Sequence, residues 1–282
     1  DVWRFRTEIP ELSDDGYVWM EDLAILVSYW LDETCAEPNW CEGTDFNRNG
    51  ATEFGDFAIL GQFWCVDASL VGYWEMDDDG PDTTVLDSSG YGNDGTAQQN
   101  TSVLHTAGVI DGALTFNGTS DYIDCGTDAS LALTAWSMSA WIYRSSDSGY
   151  YERIVSKSNT SGYDYWLQIQ PDAVVQAGFV DGGGTPRKVA TTETVSLDTW
   201  YHVAATWDGS YMKIYIDGQP KATSDDYSSY APRMSERPFN IGRLGAGGSW
   251  YYGYNGAIDD VMMFDRALTG EEVEQLYQQG QD

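Results

Sequence analysis

The feature that most constrains the fold is a series of short runs, from about residue 70 onward, in which apolar and polar residues alternate. Examples are Met-Ser-Ala-Trp-Ile-Tyr at 138–143, Tyr-Trp-Leu-Gln-Ile at 165–169 and Met-Lys-Ile-Tyr-Ile at 212–216. Gly, Asp, Asn and Ser turns separate these runs. Because successive side chains of a strand point to opposite faces, regularly spaced runs of this kind predict an antiparallel β-sandwich. Only residues 269–277 indicate a helix, with a Thr cap followed by acidic residues.

The charge balance excludes two classes of partner. The chain has 14 Lys and Arg against 45 Asp and Glu, a formal net charge of −31. A nucleic-acid binder needs basic patches for the phosphate backbone, and docking on an anionic membrane needs them too. No apolar run approaches the roughly 18 residues that a membrane span requires. We therefore expect no nucleic-acid partner and no membrane insertion, and the negative charge suits a protein that binds divalent cations.

The sequence before residue 70 contains a duplication. Residues 22–30 (Asp-Leu-Ala-Ile-Leu-Val-Ser-Tyr-Trp) return 34 positions later as residues 56–64 (Asp-Phe-Ala-Ile-Leu-Gly-Gln-Phe-Trp). The apolar positions have helical spacing, so each copy predicts a short amphipathic helix. A polar loop with Gly at its sixth place precedes each helix, which is the arrangement that a calcium loop requires.

Each loop offers alternating oxygen ligands for Ca²⁺. The second loop would bind through the side chains of Asp45, Asn47, Asn49 and Asp56 and the carbonyl of Ala51. The first loop has a poorer set: Glu11, Ser13, Asp15 and Asp22, with the carbonyl of Tyr17. The alternative for both loops is an Asx-rich turn followed by a capped helix.

Paired loop-helix units with Asp at the twelfth place resemble a dockerin, a small module that binds a cohesin domain. The resemblance covers residues 9–66 and implies a cohesin-like partner. Residues 1–8 alternate aromatic and polar side chains like a lone strand and resemble the last strand of a fibronectin-like domain. The expected organisation is therefore a terminal strand of an upstream domain at 1–8, a dockerin-like unit at 9–66 and a sandwich at 67–282, within a longer protein. An internal calcium-stabilised spacer is the alternative role for residues 9–66.

The four cysteines favour one short bridge. Cys35 and Cys41 bracket the connection between the two predicted helices, and a disulfide between them would close a short loop. Four cysteines allow three connectivities, and the sequence does not choose among them. Cys125 lies in an apparent strand, and we expect it to be a buried thiol.

The region after residue 70 resembles the laminin-G-like, concanavalin A-type jelly roll. The resemblance rests on short sequence motifs that occur in the same order as in the family, at residues 87–95, 114–118, 137–141, 199–209, 256–261 and 265–268. It implies the fold strongly and the ligand weakly, because the family includes sugar binders, adhesion modules, enzyme appendages and spacers. The expected class is thus mainly β, a jelly-roll sandwich with a small helical calcium-binding domain on its N-terminal side.

The resemblance also implies a calcium ion that ties the two chain ends of the sandwich together. Its ligands would be Asp87, Asn93 and one of Asp259 and Asp260, with backbone carbonyls completing the shell. The alternative is that these acidic residues face solvent in a strongly acidic chain.

Two aromatic clusters are candidates for a ligand surface. Flat exposed rings stack on sugar faces, and nearby Arg153, Lys157, Arg187 and Arg243 could bond hydroxyl or acidic groups. The same rings could bury against a neighbouring domain or subunit. The candidate ligand-binding residues are Tyr151, Tyr163, Tyr165, Trp166, Trp250, Tyr251 and Tyr252.

Catalysis has little support in the sequence. The Glu-x-Asp-x-Glu strand typical of glycosidases with this sandwich is not present, and neither His105 nor His202 has a triad partner in the pattern. We expect a non-catalytic, calcium-stabilised module that binds a polysaccharide or glycoprotein glycan outside the cell or at its surface. The alternative is a structural subunit of an extracellular fibre or layer, assembled with copies of itself by strand addition.

Overall fold

The computed structural model describes residues 25–28, 51–52, 69–159, 162–244 and 252–281. The chain divides into two compact units, Asp1–Leu70 and Val71–Asp282. In the first unit, residues 25–28 are helical and Leu26 is buried. Apart from Ala51, the ligands expected in the two calcium loops lie outside the described residues, and so do Cys35 and Cys41. In the described part of the chain, no helix is both long and apolar enough to cross a membrane.

The described part of the sandwich unit consists of short strands with two α-helices and one 3₁₀ turn. The helices are α1 (Thr101–Leu104) and α2 (Gly270–Gln279), and the 3₁₀ turn is Ala129–Leu131. The strands are β1 (Leu70–Trp74), β2 (Thr84–Val85), β3 (Gly95–Ala97), β4 (His105–Ala107), β5 (Gly112–Asn117), β6 (Ile123–Asp124), β7 (Trp136–Arg144), β8 (Glu152–Asn159), β9 (Gly162–Ile169), β10 (Val174–Val180), β11 (Pro186–Thr194), β12 (Trp200–Trp207), β13 (Met212–Ile216), β14 (Gln219–Thr223), β15 (Phe239–Ile241) and β16 (Asn255–Phe264).

These strands form two sheets. The first has the order β14-β13-β12-β7-β16-β5-β4, with β1 also paired to β16. The second has the order β11-β10-β9-β8-β15-β6-β3-β2. Neighbours such as β7 and β12, or β8 and β9, run antiparallel. The predicted antiparallel sandwich is confirmed.

One hydrophobic core lies between the two sheets. Phe179 of the second sheet packs on Trp207 of the first, with ring centroids 4.7 Å apart. Within β9, Leu167 and Ile169 are fully buried in this core, so the residues between them project from the other side of the sheet. Cys125 is a buried free thiol, as expected, and burial raises the pKa of that thiol.

Helix α2 covers part of the outward face of the first sheet. Thr269 caps it with a reciprocal bond to Glu272, so the predicted cap is confirmed. Beneath the helix, the ring of Tyr277 lies 5.6 Å from Trp141 and 6.1 Å from His202. His202 is thus packed between strand and helix. The outward face of the second sheet has no such helix over it among the described residues.

Candidate functional site

The outward face of the second sheet carries a row of paired residues that crosses six strands. Trp166 pairs with Ser156 on one side and with Gly178 on the other. Because Leu167 points into the core, Trp166 and its cross-strand partners point outward. From β6 to β11, the row is Asp124, Asn240, Ser156, Trp166, Gly178 and Lys188. A neighbouring row joins Arg153, Gln168 and Gln176.

The middle of this face is polar and nevertheless buried. Ser156 and Asn240 have no exposed surface, and Arg153 is 4% exposed. The outward face of a sandwich sheet ordinarily meets water. Here Arg243, which follows Gly242 (φ 82°), lies against the face, and its carbonyl accepts a 2.9 Å bond from Ser156 Oγ. The result is a recessed polar surface. We call Arg153, Ser156, Trp166, Gln168, Gln176 and Asn240 the polar face.

Aromatic rings surround Arg153 at the centre of the polar face. Its guanidinium carbon lies 5.1 Å from the ring of Trp166, 5.3 Å from Tyr163 and 5.8 Å from Tyr252. Tyr151 stacks on Tyr252 with centroids 5.8 Å apart. Burial lowers the pKa of Arg153 to about 9, because the guanidinium loses hydration that the rings replace only in part. This arrangement combines flat rings with a cation.

Several polar atoms of the polar face have no hydrogen-bond partner. A buried polar atom without a partner costs about 1–3 kcal/mol, so a cluster of them requires an explanation. Twelve such atoms occur among the described residues, and six belong to this surface or to adjoining Arg243. They are Arg153 Nε and Nη1, Trp166 Nε1, Gln168 Oε1, Asn240 Oδ1 and Arg243 Nε. The recess thus contains buried donors and acceptors without partners beside aromatic rings, and a sugar has hydroxyl groups that satisfy both kinds.

The neighbouring acidic side chains are engaged elsewhere. Glu152 is fully buried and accepts a 3.0 Å bond from Arg144 Nε. Asp164 is held by Arg233 at 3.1 Å and by Arg237 at 2.7 Å. The carboxylates closest in sequence to the polar face therefore neutralise other cations, and in the part of the chain that the structure describes none forms an ion pair with Arg153.

The structure sorts the predicted ligand-binding residues into three groups. Tyr151, Tyr163, Trp166 and Tyr252 come together around Arg153, although Trp166 is not the exposed ring that was expected, because it is only 3% exposed. The prediction for Tyr165 is wrong. Its side chain lies in the core, where the hydroxyl donates to the carbonyl of Leu131 at 2.8 Å. Trp250 and Tyr251 lie outside the described residues.

Sequence reasoning missed the neutral polar members of the site, namely Ser156, Gln168, Gln176 and Asn240. Each is an ordinary residue of an outward strand position. The contact that covers Ser156 comes from Arg243, which lies 87 residues further along the chain. The alternation in residues 165–169 was the available signal, since it gives Gln168 the same face as Trp166.

Two of the predicted calcium ligands of the sandwich serve a turn. Asp87 Oδ1 accepts from the N–H groups of Tyr73 and Ser89 at 2.9 and 3.0 Å, and Oδ2 accepts from Asn93 N–H at 2.8 Å. The Asn93 amide donates to the carbonyl of Val71 at 2.8 Å. The structure thus places Asp87 and Asn93 together, in hydrogen bonds that fix the turn onto β1.

The other two predicted ligands lie on β16 and have unused oxygen atoms. Asp259 Oδ2 accepts from the N–H groups of Val109 and Ile110 at 2.7 and 3.1 Å, while Asp260 Oδ1 accepts from the Tyr73 hydroxyl at 2.6 Å. Asp259 Oδ1 and Asp260 Oδ2 are buried without a partner. Burial first, then the charge of Asp260, raises the pKa of Asp259 to about 7, and burial raises that of Asp260 to about 6.

These two groups of residues do not form one ligand shell. Asp87 and Asp260 are linked only through Tyr73, which donates to one by its backbone and to the other by its hydroxyl. Among the described residues, no three His, Cys, Asp or Glu side chains converge as a metal site would require. The unpaired oxygens of Asp259 and Asp260 are nevertheless oxygen donors of the kind that Ca²⁺ prefers.

An open cavity of about 880 Å³ lies between α2 and the β13–β14 turn. Its lining includes Glu271, Glu274 and Pro220, and no aromatic side chain. It lacks the rings and unpaired polar atoms of the polar face, so we do not place the site there.

Comparison with known proteins gives a family and a set of similar folds. A laminin G family model, described as the concanavalin A-like lectin/glucanases superfamily, matches residues 117–274. No curated protein matches the sequence.

Three solved structures illustrate the similarity in fold. The binding domain of Paraclostridial mosquitocidal protein 1 is 16% identical, with a TM-score of 0.59 over 74% of this chain and 52% of that one. Domain 4 of AbnA, a GH43 extracellular arabinanase from Geobacillus stearothermophilus, solved with arabinotriose, is 19% identical, with a TM-score of 0.57 over 74% and 98%. Trypanosoma rangeli sialidase with 2,3-difluorosialic acid is 17% identical, with a TM-score of 0.56 over 76% and 34%. This chain thus spans about half of the toxin domain, a third of the sialidase and nearly all of the arabinanase domain.

Proposed function

The chain belongs to the concanavalin A-like lectin/glucanase superfamily, and we propose that its sandwich is a non-catalytic carbohydrate-binding module whose ligand binds at the polar face. The observation that carries this proposal is the gathering of six unpartnered polar atoms beside four aromatic rings on one sheet face. A sugar supplies hydroxyl groups that both donate and accept, and its ring faces stack on aromatic side chains. The arabinotriose bound to the similar arabinanase domain supports a saccharide ligand.

The composition of the polar face supports binding without chemistry. Hydrolysis of a glycosidic bond uses two carboxyl groups on either side of the scissile bond. The described residues of the polar face are neutral or cationic, and the adjacent Glu152 and Asp164 are held in ion pairs. The similarity to a sialidase covers only a third of that enzyme.

Calcium is part of the proposal, at Asp259 and Asp260. A buried pair of aspartates with raised pKa values and two unpaired oxygens is electrostatically unfavourable without a cation. Asp259 and Asp260 would hold Ca²⁺ through the two carboxylate oxygens that lack a hydrogen-bond partner. We also propose an extracellular or cell-surface location, where calcium and glycans are both abundant. The expected cohesin-like partner and self-association involve residues outside the described part of the chain and stay predictions.

The test of the proposed function is binding of oligosaccharides by isothermal titration calorimetry, with the full chain and a panel of neutral and acidic oligosaccharides. Tyr252→Ala and Tyr163→Ala should each weaken binding roughly fivefold to tenfold, because each removes a ring from the surface. Tyr211→Ala is the matched control, since Tyr211 is 41% exposed at the start of β13 in the other sheet.

Two results would contradict the proposal. One is that the Tyr211 variant loses as much affinity as the other two, which would place the ligand elsewhere. The other is release of reducing ends from an oligosaccharide during incubation with the protein, which would make the module an enzyme.

A further inference from the structure

We propose that the sugar bound at the polar face is acidic, and that its carboxylate pairs with Arg153, assisted by Arg243. This inference rests on the proposed function and specifies its ligand. These two arginines differ from the other arginines that the structure describes.

Ion pairs are the rule for the described arginines of this acidic chain. Arg144 pairs with Glu152, Arg187 with Asp181, and Arg266 with Glu272, at N–O distances of 2.7–3.0 Å. Arg233 and Arg237 share Asp164. Arg153 and Arg243 instead contact aromatic rings, and the described residues provide neither with a carboxylate. With 45 acidic residues against 14 basic ones, an unpaired and buried arginine is the exception that needs a reason.

The immediate surroundings preserve the charge of Arg153 and leave two of its buried nitrogens without a partner. The rings of Tyr163, Trp166 and Tyr252 attract the cation through their π-faces and do not neutralise it. The guanidinium nitrogens Nε and Nη1 have no acceptor. Nε–H points along the edge that it shares with Nη2, whereas Nη1 lies on the opposite side of the guanidinium, so the two nitrogens could donate to different oxygens of an acidic ligand.

Arg243 adds a second cation at the same surface. Its guanidinium lies 3.5 Å from the ring of Tyr122, and its Nε is also unpartnered. Its backbone carbonyl is bound to Ser156, so this residue lies over the middle of the polar face. Arg153 lies on β8 and Arg243 lies two residues after β15, so two separate segments supply these cations.

The local charge differs in sign from the charge of the whole chain. Five of the 14 Lys and Arg lie on β8 or within residues 233–243: Arg153, Lys157, Arg233, Arg237 and Arg243. The same two segments contain two acidic residues, Glu152 and Glu236, so their net charge is 5 − 2 = +3. At physiological salt, exposed charges are screened beyond roughly 8 Å. The net charge of −31 therefore acts weakly on a ligand that already touches this surface. An acidic sugar would pair with Arg153 and Arg243, whereas a neutral one would leave these two arginines without a carboxylate.

The test compares a galacturonic acid trisaccharide with the galactose trisaccharide of the same linkage, by isothermal titration calorimetry at 0.15 M salt. We expect the acidic trisaccharide to bind at least tenfold more tightly to the wild-type chain. Arg153→Gln should remove this preference, because glutamine keeps polar contacts but loses the charge. Arg187→Gln is the matched control: Arg187 also lies over a tyrosine ring, Tyr230 at 3.5 Å, but it is paired with Asp181. That control should keep the preference.

A second variant keeps the proposal testable if the first variant misfolds. If Arg153→Gln fails to give the circular dichroism spectrum of the wild type, Arg243→Gln should reduce the preference by about threefold or more. Equal binding of the two trisaccharides by the wild type would overturn the acidic ligand and leave carbohydrate binding in place. A preference for the acidic trisaccharide that survives both variants would overturn the role of the two arginines. Failure of every oligosaccharide to bind would overturn the proposed function itself.

Discussion

The six-membered ring of Trp166 lies over the Cα of Gly178 on the neighbouring strand. A Cβ atom on Gly178 would stand 2.4 Å from Cζ2 and 2.8 Å from Cη2 of that ring, and 2.5 Å from the carbonyl oxygen of Arg187. Only glycine leaves room for the indole at this place. Since Trp166 also lies beneath the guanidinium of Arg153, the missing side chain on β10 sets the depth of the polar face.

Replacing Gly178 with Ala should therefore displace Trp166. We expect weaker saccharide binding by tenfold or more, a changed tryptophan emission, and a loss of roughly 1–3 kcal/mol of stability from overpacking. Gly182→Ala is the control, because a Cβ there meets nothing within 4 Å. Unchanged emission and affinity in Gly178→Ala would show that the indole position does not depend on this glycine.

The pH dependence of stability should carry a contribution from His202. It is buried beneath α2, its Nε2 lies 2.8 Å from Ser139 Oγ, and burial lowers its pKa from 6.5 to about 4. The unfolded chain takes up the proton below pH 6.5, whereas the folded chain does so only near pH 4. Stability from this group is therefore complete above pH 6.5 and declines as the pH falls towards 4, by about 2 kcal/mol at pH 5.

The check is urea denaturation at pH 7.5 and pH 5 for the wild type and for His202→Gln. Besides Ser139 and Tyr277, Asp217 faces His202 by accepting from its backbone N–H at 3.0 Å, and burial raises the pKa of that carboxyl. Asp217 is present in both the wild type and His202→Gln, so its contribution to the pH dependence of stability cancels, to a first approximation, when the two proteins are compared. His105→Gln, at the other histidine, should behave like the wild type. Equal pH dependence in all three proteins would contradict the assignment.

Alternation in the sequence predicted the sandwich because the side-chain period of a strand is a local property. The same alternation also predicts the correct position of Tyr165, which we had assigned to the ligand surface. Tyr165 has the same parity as Leu167 and Ile169, so it belongs to the core, and Trp166 belongs to the outward face. Grouping the two adjacent aromatics in one ligand surface ignored that parity.

The properties of Arg153 could not be predicted from the sequence in the same way. Arg153 has no carboxylate partner because the neighbouring Glu152 pairs with Arg144 across the β7–β8 connection. Its depth depends on Gly242 and Tyr252, which come some 90–100 residues later in the chain. The bonds of Asp87 to Tyr73 and Ser89 likewise depend on how the turn packs against β1. Such relationships arise from tertiary contacts, which no local pattern encodes.

The buried pair between Arg144 and Glu152 should be required for stability near the polar face. Both side chains are at most 3% exposed, and Arg144 Nη1 also donates to the carbonyl of Val195 at 3.0 Å. Arg144→Met leaves the carboxylate of Glu152 buried and unpaired, so we expect a loss of roughly 3–5 kcal/mol in urea denaturation. Adding Glu152→Gln should recover part of it. Arg266→Met, which breaks a more exposed pair with Glu272, should cost about 1 kcal/mol or less.

Calcium should raise the melting temperature of the sandwich through Asp259 and Asp260. At a concentration one hundred times its dissociation constant, a ligand of the folded state adds about 2.7 kcal/mol, which is roughly 5–10 °C for a unit of this size. Asp259→Asn and Asp260→Asn should each lose this gain. In excess chelator both variants should melt at or above the wild-type temperature, because each substitution removes a buried, uncompensated charge.

Two controls separate this site from the other acidic residues in differential scanning calorimetry. Asp45→Asn alters a predicted ligand of the second calcium loop, and it should leave the calcium-dependent gain of the sandwich intact. Asp172→Asn changes an exposed aspartate in the β9–β10 turn and should have no effect. If the melting of the wild-type sandwich is the same in calcium and in chelator, the two unpaired oxygens of Asp259 and Asp260 do not bind this cation, and their raised pKa values then indicate that one carboxyl is protonated near neutral pH.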